Sequence, residues 1–536
     1  MSPDNMINEN VKKLAEIFPA AIKDGQVDLE ALRQELGEFE EVSREKYELI
    51  WPGKNLARQV ANTDISGRIL KYIPGDSQDK DTTKNIYIEA DNLEALKLLR
   101  DDYSSRIKMI YIDPPYNTGN DFIYKDNYSM GKGFGEKNDA GRDKHDKHLE
   151  KNRQDGARFH SNWLNMMYPR LKVARDLLRD DGVIFISINE EELFNLKLIG
   201  DEIFGASNYL TAFTIKIRHE DRILKGDKDF HEVAEYLLLY RKSDAFVAVK
   251  RQKDNTSIED YIYEIVEKID KPEIREFDGR QVEMFKAGEY ELLKKRPNAH
   301  LLKRINIRGA LKEGNSSGRF YMAHLEQYSN QKGLLFKVPN IGADGLGYRY
   351  FMTPETERRA NGDYFQGVPL NRKDTLEIPY PNFLDFEAEF NRVGYEGGVE
   401  FRNGKKPVGF IMKLMEIAGL KHDRESIVLD FFAGSSSTAH ATMLMNAEDK
   451  GQRQYIMVQL PENLNISLQE APGTARSAIE IAIRFLDSIN KPHILTEIGK
   501  ERIRRAGEQI KTEYFNQDGI ENLDTGFKVF RIEDKK

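Results

Sequence analysis

The sequence predicts an α/β protein on a largely parallel sheet, with helical regions at both ends and a segment of different texture inserted between two α/β blocks. Three observations carry this. First, Ile107–Ile112, Val183–Ile188 and Ile427–Leu429 are nearly continuous apolar runs rather than alternating ones, as in strands covered by helices on both faces. Second, strand and helix patterns alternate at 85–112 and again at 405–460, the signature of β–α–β units. Third, two of these strands end in turns of unusual composition, Asp113-Pro114-Pro115-Tyr116 and Phe432-Ala433-Gly434-Ser435. At 536 residues the chain exceeds one ordinary domain. The texture divides it into a helical region 1–60, an α/β block 61–245, an insert 246–395, a second α/β part 396–465 and a C-terminal region 466–536.

Composition excludes several classes. Without cysteine the chain can build no disulfide, thiolate zinc site or cysteine nucleophile. A net charge of −8 argues against a wholly electrostatic nucleic-acid binder, yet 81 Lys and Arg leave material for a local basic surface. No N-terminal stretch reads as a signal peptide and no apolar run is long enough to span a bilayer, so the expectation is a cytoplasmic protein without membrane contact. No G-x-x-x-x-G-K-[ST] loop for nucleotide hydrolysis is present.

Taken in order, helical spacing at Val11, Leu14, Ile17 and Phe18, then at Leu29, Leu32 and Leu36, predicts N-terminal helices, and Glu40, Glu41, Glu45 and Glu48 extend them into a charged face. Trp51-Pro52-Gly53 reads as a turn and 75–84 as a loop. Asn85–Glu89 is a strand, and Asp91-Asn92 opens a helix, where Asp91 suits an N-cap. Asp126–His160, rich in Gly, Lys, Asp and Asn, predicts a mobile loop, either functional or a plain insertion. A helix follows over Trp163–Leu178 with Pro169 inside it, then the Val183 strand. Tyr209–Ile217 and Val233–Arg241 complete the sheet as an antiparallel pair.

The insert mixes charge and aromatics without a sustained period. Lys294, Lys295, Arg296, Lys303, Arg304, Arg308 and Lys312 form a run with no acidic residue, and Tyr348-Arg349-Tyr350-Phe351 interleaves rings with charge. Such a segment suits contacts to phosphates and bases, or is an ordinary solvated face. Lys405-Lys406-Pro407 then leads into a helix, the Ile427 strand, the glycine turn, another helix and the Arg453–Leu460 strand.

The first turn sets the chemistry. Two prolines fix φ and supply no N–H, so the strand must stop at Asp113, leaving carbonyls, a carboxylate and a tyrosine ring just past a strand end, where open α/β sheets bind ligands. That set suits a planar substrate bearing an amino group. In the second turn Ala433-Gly434-Ser435 lets a ligand approach the backbone at the start of a helix. Alone, this glycine turn is a weak signal.

Together the two turns resemble the D-P-P-Y and F-x-G motifs of amino-methyltransferases that use S-adenosylmethionine. Their order, catalytic motif first, is similar to the β group of DNA methyltransferases. Ile112–Asn120 with Phe122-Ile123-Tyr124, Trp163–Leu171, Val458–Glu462 and Ile498–Ile503 narrow the resemblance to the modification subunits of Type III restriction–modification systems. It implies a Rossmann-like methyltransferase fold, with 61–245 and 396–465 as its two parts, 246–395 as the target recognition domain, and 466–536 available for dimer or restriction-subunit contacts. It implies methylation of adenine N6 in duplex DNA, with Asp113, Pro114, Pro115 and Tyr116 catalytic. S-adenosylmethionine would lie against Asp91, Asn92, Asp113, Lys406, Pro407, Asp430, Phe431, Phe432, Ala433, Gly434, Ser435 and Gln459, with Gln459 or Glu462 at the ribose. The DNA contacts would fall on Lys294, Lys295, Arg296, Lys303, Arg304 and Arg308. A homodimer, a separate helicase–nuclease subunit and chemistry without a metal are implied too. The alternatives are a solitary DNA adenine methyltransferase and an enzyme acting on RNA or protein.

Overall fold

The computed structural model describes residues 11, 14–15, 17–23, 26–29 and 31–32, and from 48 to 535 all but 66, 120–121, 125–148, 153–155, 157, 222–228, 255–256, 309–315, 357–360, 371–374, 402–404 and 472. Most of the helical region expected over 1–60 and most of the loop expected over 126–160 therefore lie outside the described residues. Of the latter, Leu149–Lys151 forms a short antiparallel strand with Phe122–Tyr124, and Phe159 already opens a helix.

The chain divides into a larger unit, 1–249 with 381–536, and a smaller one, 250–380. In the larger unit, α1 (Lys54–Asn62) precedes β1 (Arg68–Tyr72), β2 (Ile86–Glu89), α2 (Asn92–Tyr103) and β3 (Ile107–Ile112). There follow α3 (Phe159–Leu177), β4 (Leu178–Ile188), α4 (Leu193–Phe204), β5 (Tyr209–Lys216) and β6 (Ala234–Arg241). After the smaller unit come β7 (Phe383–Asp385), α5 (Val408–Ile417), β8 (Ile427–Asp430), α6 (Ser437–Asp449), β9 (Gln454–Gln459), α7 (Leu495–Glu513) and β10 (Lys528–Asp534).

The ten strands make one sheet in the order β7-β5-β6-β4-β3-β8-β9-β2-β10-β1. The six from β4 to β10 run parallel, and β5, β6 and β1 supply antiparallel pairings toward the edges. Every residue of β3 is buried, as its nearly continuous apolar run requires, and the one charged residue in it, Lys108, pairs with Asp181. In β9, Ile456 and Val458 point into a core shared with α2, α3 and α4, while Tyr455 and Met457 point into one shared with α6 and α7. Burying each such side chain contributes roughly 1.5–3 kcal/mol. From β3 the chain returns through α3 to β4 on one side, and from β8 through α6 to β9 on the other. Between β3 and β8 the winding reverses, which opens a crevice at their carboxyl ends.

One expected boundary shifts, and one terminal region joins the sheet. The insert ends at residue 380 rather than 395, because Phe383–Asp385 pairs in parallel with β5 and belongs to the large sheet. The C-terminal region is not an appendage: β10 lies between β2 and β1, with Val529 and Phe527 fully buried.

The main sheet of the smaller unit has six antiparallel strands in the order Glu273–Phe277, Arg280–Phe285, Leu335–Pro339, Tyr348–Met352, Asp363–Gln366 and Lys303–Asn306. Asp278 and Gly279 turn the first pair with φ of 51° and 70°, the left-handed conformation that an Asp-Gly hairpin turn favours. Phe351 packs into a core on one face of this sheet, and Tyr350 and Met352 into one on the other.

Candidate active site

The carboxyl ends of β3 and β8 lie side by side, with Met109 opposite Val428 and Ile110 opposite Leu429. The Asp113 turn and the glycine turn are thereby neighbours. The first is pinned on both sides. Trp163 Nε1, on α3, donates to the Pro115 carbonyl at 2.7 Å. Asn117 ends the turn in the left-handed conformation (φ 61°), which Asn tolerates better than most residues. Its buried amide donates to Glu192 Oε1 at 2.5 Å and accepts from Asn152 Nδ2 at 2.8 Å.

Around Asp113 lies a buried charged cluster. Lys406 Nζ sits 3.1 Å from Asp113 Oδ1, 3.2 Å from Glu235 Oε1 and 2.8 Å from the Tyr116 hydroxyl, which itself donates to Glu235 Oε2 at 3.0 Å. Burial, then the charges of Asp113 and Glu235, push the Tyr116 hydroxyl well above the ordinary tyrosine range. Burial disfavours the Lys406 ammonium, but the same two carboxylates outweigh it and hold Lys406 above the usual lysine value. Burial and the Asp113 charge hold Glu235 above the ordinary carboxylate value against the pull of Lys406.

The glycine turn is held from below. Asp430 Oδ1 accepts from Phe432 N–H at 3.1 Å and Oδ2 from the Thr438 hydroxyl at 2.6 Å. Burial, with a contribution from Asp113, pushes Asp430 up to about 7 despite these bonds. Gly434 has φ 49°, and a Cβ there would meet no atom nearer than 3.9 Å, so the turn faces open space. Gly434 N–H donates to Gln459 Oε1 at 2.7 Å. Asn92 Nδ2 donates to the Phe431 carbonyl at 2.8 Å, while Asn92 Oδ1 accepts from the fully buried Arg170 at 2.6 Å. Arg502 donates to Ser435 and Ser437, and Ser437 Oγ donates to the Lys406 carbonyl at 2.7 Å. Gly499, on α7, packs directly on the turn.

The residues expected at the cofactor thus gather at the carboxyl ends of β2, β3, β8 and β9, in varied roles. Asp91 caps α2, accepting from Leu93 and Glu94 N–H. Pro407 is the residue just before α5. Phe431 is fully buried and Phe432 packs against the same core. Ala433 is buried in the core beneath α6. Glu462, the alternative to Gln459, is raised by burial and accepts from Ser467 Oγ at 2.5 Å. Lys406, also expected at the cofactor, reaches the Asp113 turn with its side chain.

The basic run of the smaller unit is largely spent on internal pairs. Arg304 pairs with Asp363 and Glu355, Lys303 with Asp260, and Lys295 with Glu264, while Lys294 lies over the Tyr263 ring. Arg296 and Arg308 are exposed. The Tyr348–Phe351 stretch is core rather than a contact surface: Arg349 is buried, donating to Asp344 and Ser317, because its strand is covered on both faces. Glu235, Arg170 and Arg502 escaped the sequence reading. Only Glu235 left a signal, a lone carboxylate in the otherwise apolar run Ala234–Tyr240.

Comparison with known proteins agrees with this geometry. Residues 107–508 match a family model described as DNA methylase. The chain is 30% identical over 533 residues, covering 92% of itself and 76% of the relative, to the Mod subunit of the Type III restriction-modification enzyme EcoPI of Escherichia phage P1. To the EcoP15I Mod subunit of Escherichia coli it is 28% identical over 544 residues, covering 98% of itself and 78% of the relative. With matches that span most of both chains and include the two adjoining turns, this protein belongs to the DNA methylase family and, within it, to the Mod subunits of Type III restriction-modification enzymes.

Proposed function

We propose that the chain transfers a methyl group from S-adenosylmethionine to N6 of an adenine flipped out of duplex DNA. The observation that carries this is the adjacency of the Asp113 and glycine turns across β3 and β8. The open space over Gly434 fits a ligand lying against the backbone. Asp91, Asn92, Asp430–Ser435 and Gln459 would hold the cofactor there. Its sulfonium supplies an electrophilic methyl group.

The rest is the work of the chain. Adenine's exocyclic amine is a poor nucleophile because its lone pair is delocalised into the ring, and acceptors for both N–H bonds favour the reactive pyramidal form. Asp113 accepts one. The Pro115 carbonyl already serves Trp163, so the Pro114 carbonyl is the acceptor for the other. Both are aimed where positive charge develops only as the methyl arrives. The Tyr116 ring, fixed through its hydroxyl, stacks on the extruded base. In the smaller unit, exposed Arg296 and Arg308 with Lys294 are the candidates for phosphate contacts. The family expectation adds a homodimer in the cytoplasm and a separate restriction subunit.

The test is tritiated methyl transfer to unmethylated duplex DNA, RNA and protein, followed by base analysis. Transfer to DNA yielding N6-methyladenine supports the reading, and transfer confined to RNA or protein overturns it. Asp113→Ala should slow transfer by about a thousandfold or more while S-adenosylmethionine binding, measured by calorimetry, stays nearly unchanged.

A further inference from the structure

We propose that Lys406 and Glu235 are positioning residues for the catalytic turn: Lys406 engages Asp113 Oδ1, so that Oδ2 receives the amine, and Glu235 anchors both Lys406 and the Tyr116 hydroxyl. This rests on the adenine-methylation reading above and gives Lys406 a role distinct from cofactor binding.

The geometry is the argument. The ammonium has three protons and the Tyr116 hydroxyl one. Facing them are Asp113 Oδ1, the two Glu235 oxygens and the Tyr116 oxygen, all within 3.2 Å of a donor. The ammonium donates to the Tyr116 hydroxyl and to Glu235 Oε2, and its charge faces Asp113 Oδ1 at 3.1 Å and Glu235 Oε1 at 3.2 Å, two buried oxygens with no hydrogen-bond partner among the described residues. Lys406 also bridges the two turns, since its carbonyl accepts from Ser437 at the start of α6 while its side chain reaches β3's turn. A residue so placed fixes the spacing between them.

Its charge is needed as well. Asp113, Glu235 and, from β8, Asp430 bring three carboxyl groups to one buried region, with the Tyr111 and Tyr116 hydroxyls as the other titratable groups facing them. Without a cation between them, neighbouring buried carboxylates take up a proton. Glu235 in turn confines the ammonium, which would otherwise sample the free rotamers of a lysine.

Single-turnover methyl transfer on long PCR-amplified duplex DNA should be followed from acid to alkaline pH, alongside calorimetric binding of S-adenosylmethionine and thermal unfolding. For Lys406→Met the acid limb should move up by about one pH unit or more, as the buried carboxyl cluster loses the cation at its centre. Glu235→Gln removes one negative neighbour, so its acid limb should move down, with a slower plateau rate. Lys406→Arg should restore the wild-type limb in part. Cofactor affinity should stay within about threefold of wild type in all three. The inference is overturned if Lys406→Met weakens cofactor binding by about tenfold or more with the acid limb unmoved. Should Lys406→Met fail to fold, Glu235→Gln decides: an unmoved or raised limb overturns the inference. Wild-type enzyme that transfers no methyl to DNA would instead overturn the proposed function.

Discussion

Asn92 is a small residue with a large burden. It is fully buried, and its one amide joins the Phe431 carbonyl to the Arg170 guanidinium, so that α2, α3 and the glycine turn meet on a single side chain. Asn92→Ala leaves both partners short of a bond in a dry site, at a cost of about 1–3 kcal/mol for each. We expect a lower melting temperature and weaker cofactor binding, read by thermal denaturation and calorimetry, with the amine-facing Asp113 turn intact. The identity of such residues was only partly legible. Asp113 announced itself through the two prolines behind it, and Asp91 as an N-cap through the helix that follows. Arg170 and Glu235 did not, because what makes them notable is burial beside partners far away in sequence, which composition does not encode.

At the scale of elements, α7 acts as a lid on the cofactor turn. Its Gly499 leaves no room for a side chain: a Cβ would lie 2.7 Å from both Ser436 Oγ and the Tyr87 hydroxyl and 3.2 Å from the Gly434 carbonyl. Gly499→Ala therefore pushes the helix off the turn, with an overpacking cost of about 1–3 kcal/mol. Calorimetry should record weakened S-adenosylmethionine binding, whereas Gly75→Ala, where no atom lies within 4 Å, should leave the affinity unchanged. Neighbouring Lys500 is fully buried between Glu89 and Glu497, which locks the same helix to the end of β2. Strands β3, β4 and β8 were legible because burial on both faces writes a continuous apolar run. The β5–β6 pair was legible from its two runs flanking a polar stretch. The place of β10 was not: its sequence is that of a strand, but only pairing with β2 and β1 puts it inside the sheet. The internal pairs of the basic run were not legible for a related reason, since Asp363, Glu355 and Asp260 lie far from it in sequence.

For the whole molecule, the smaller unit carries its own two hydrophobic cores and its own sheet, so it can vary while the crevice of the larger unit is kept. Exchanging residues 250–380 for the matching segment of a relative should transfer the methylated sequence along with it. Methylation-sensitive long-read sequencing of DNA from cells expressing the exchange would read this directly, and an unchanged motif would place recognition elsewhere. The order of the strands has a last consequence, for synthesis. Residue 112 ends β3, yet its partner β8 starts only at residue 427. At about 5–20 residues per second, the ribosome takes roughly 15–60 s to make the intervening chain. For that time β3 leaves the tunnel with one edge bare, while the smaller unit, complete at residue 380, is free to fold first. The nascent chain thus carries a finished insert before it has a methyl-transfer site, and it needs protection of that edge until β8 arrives.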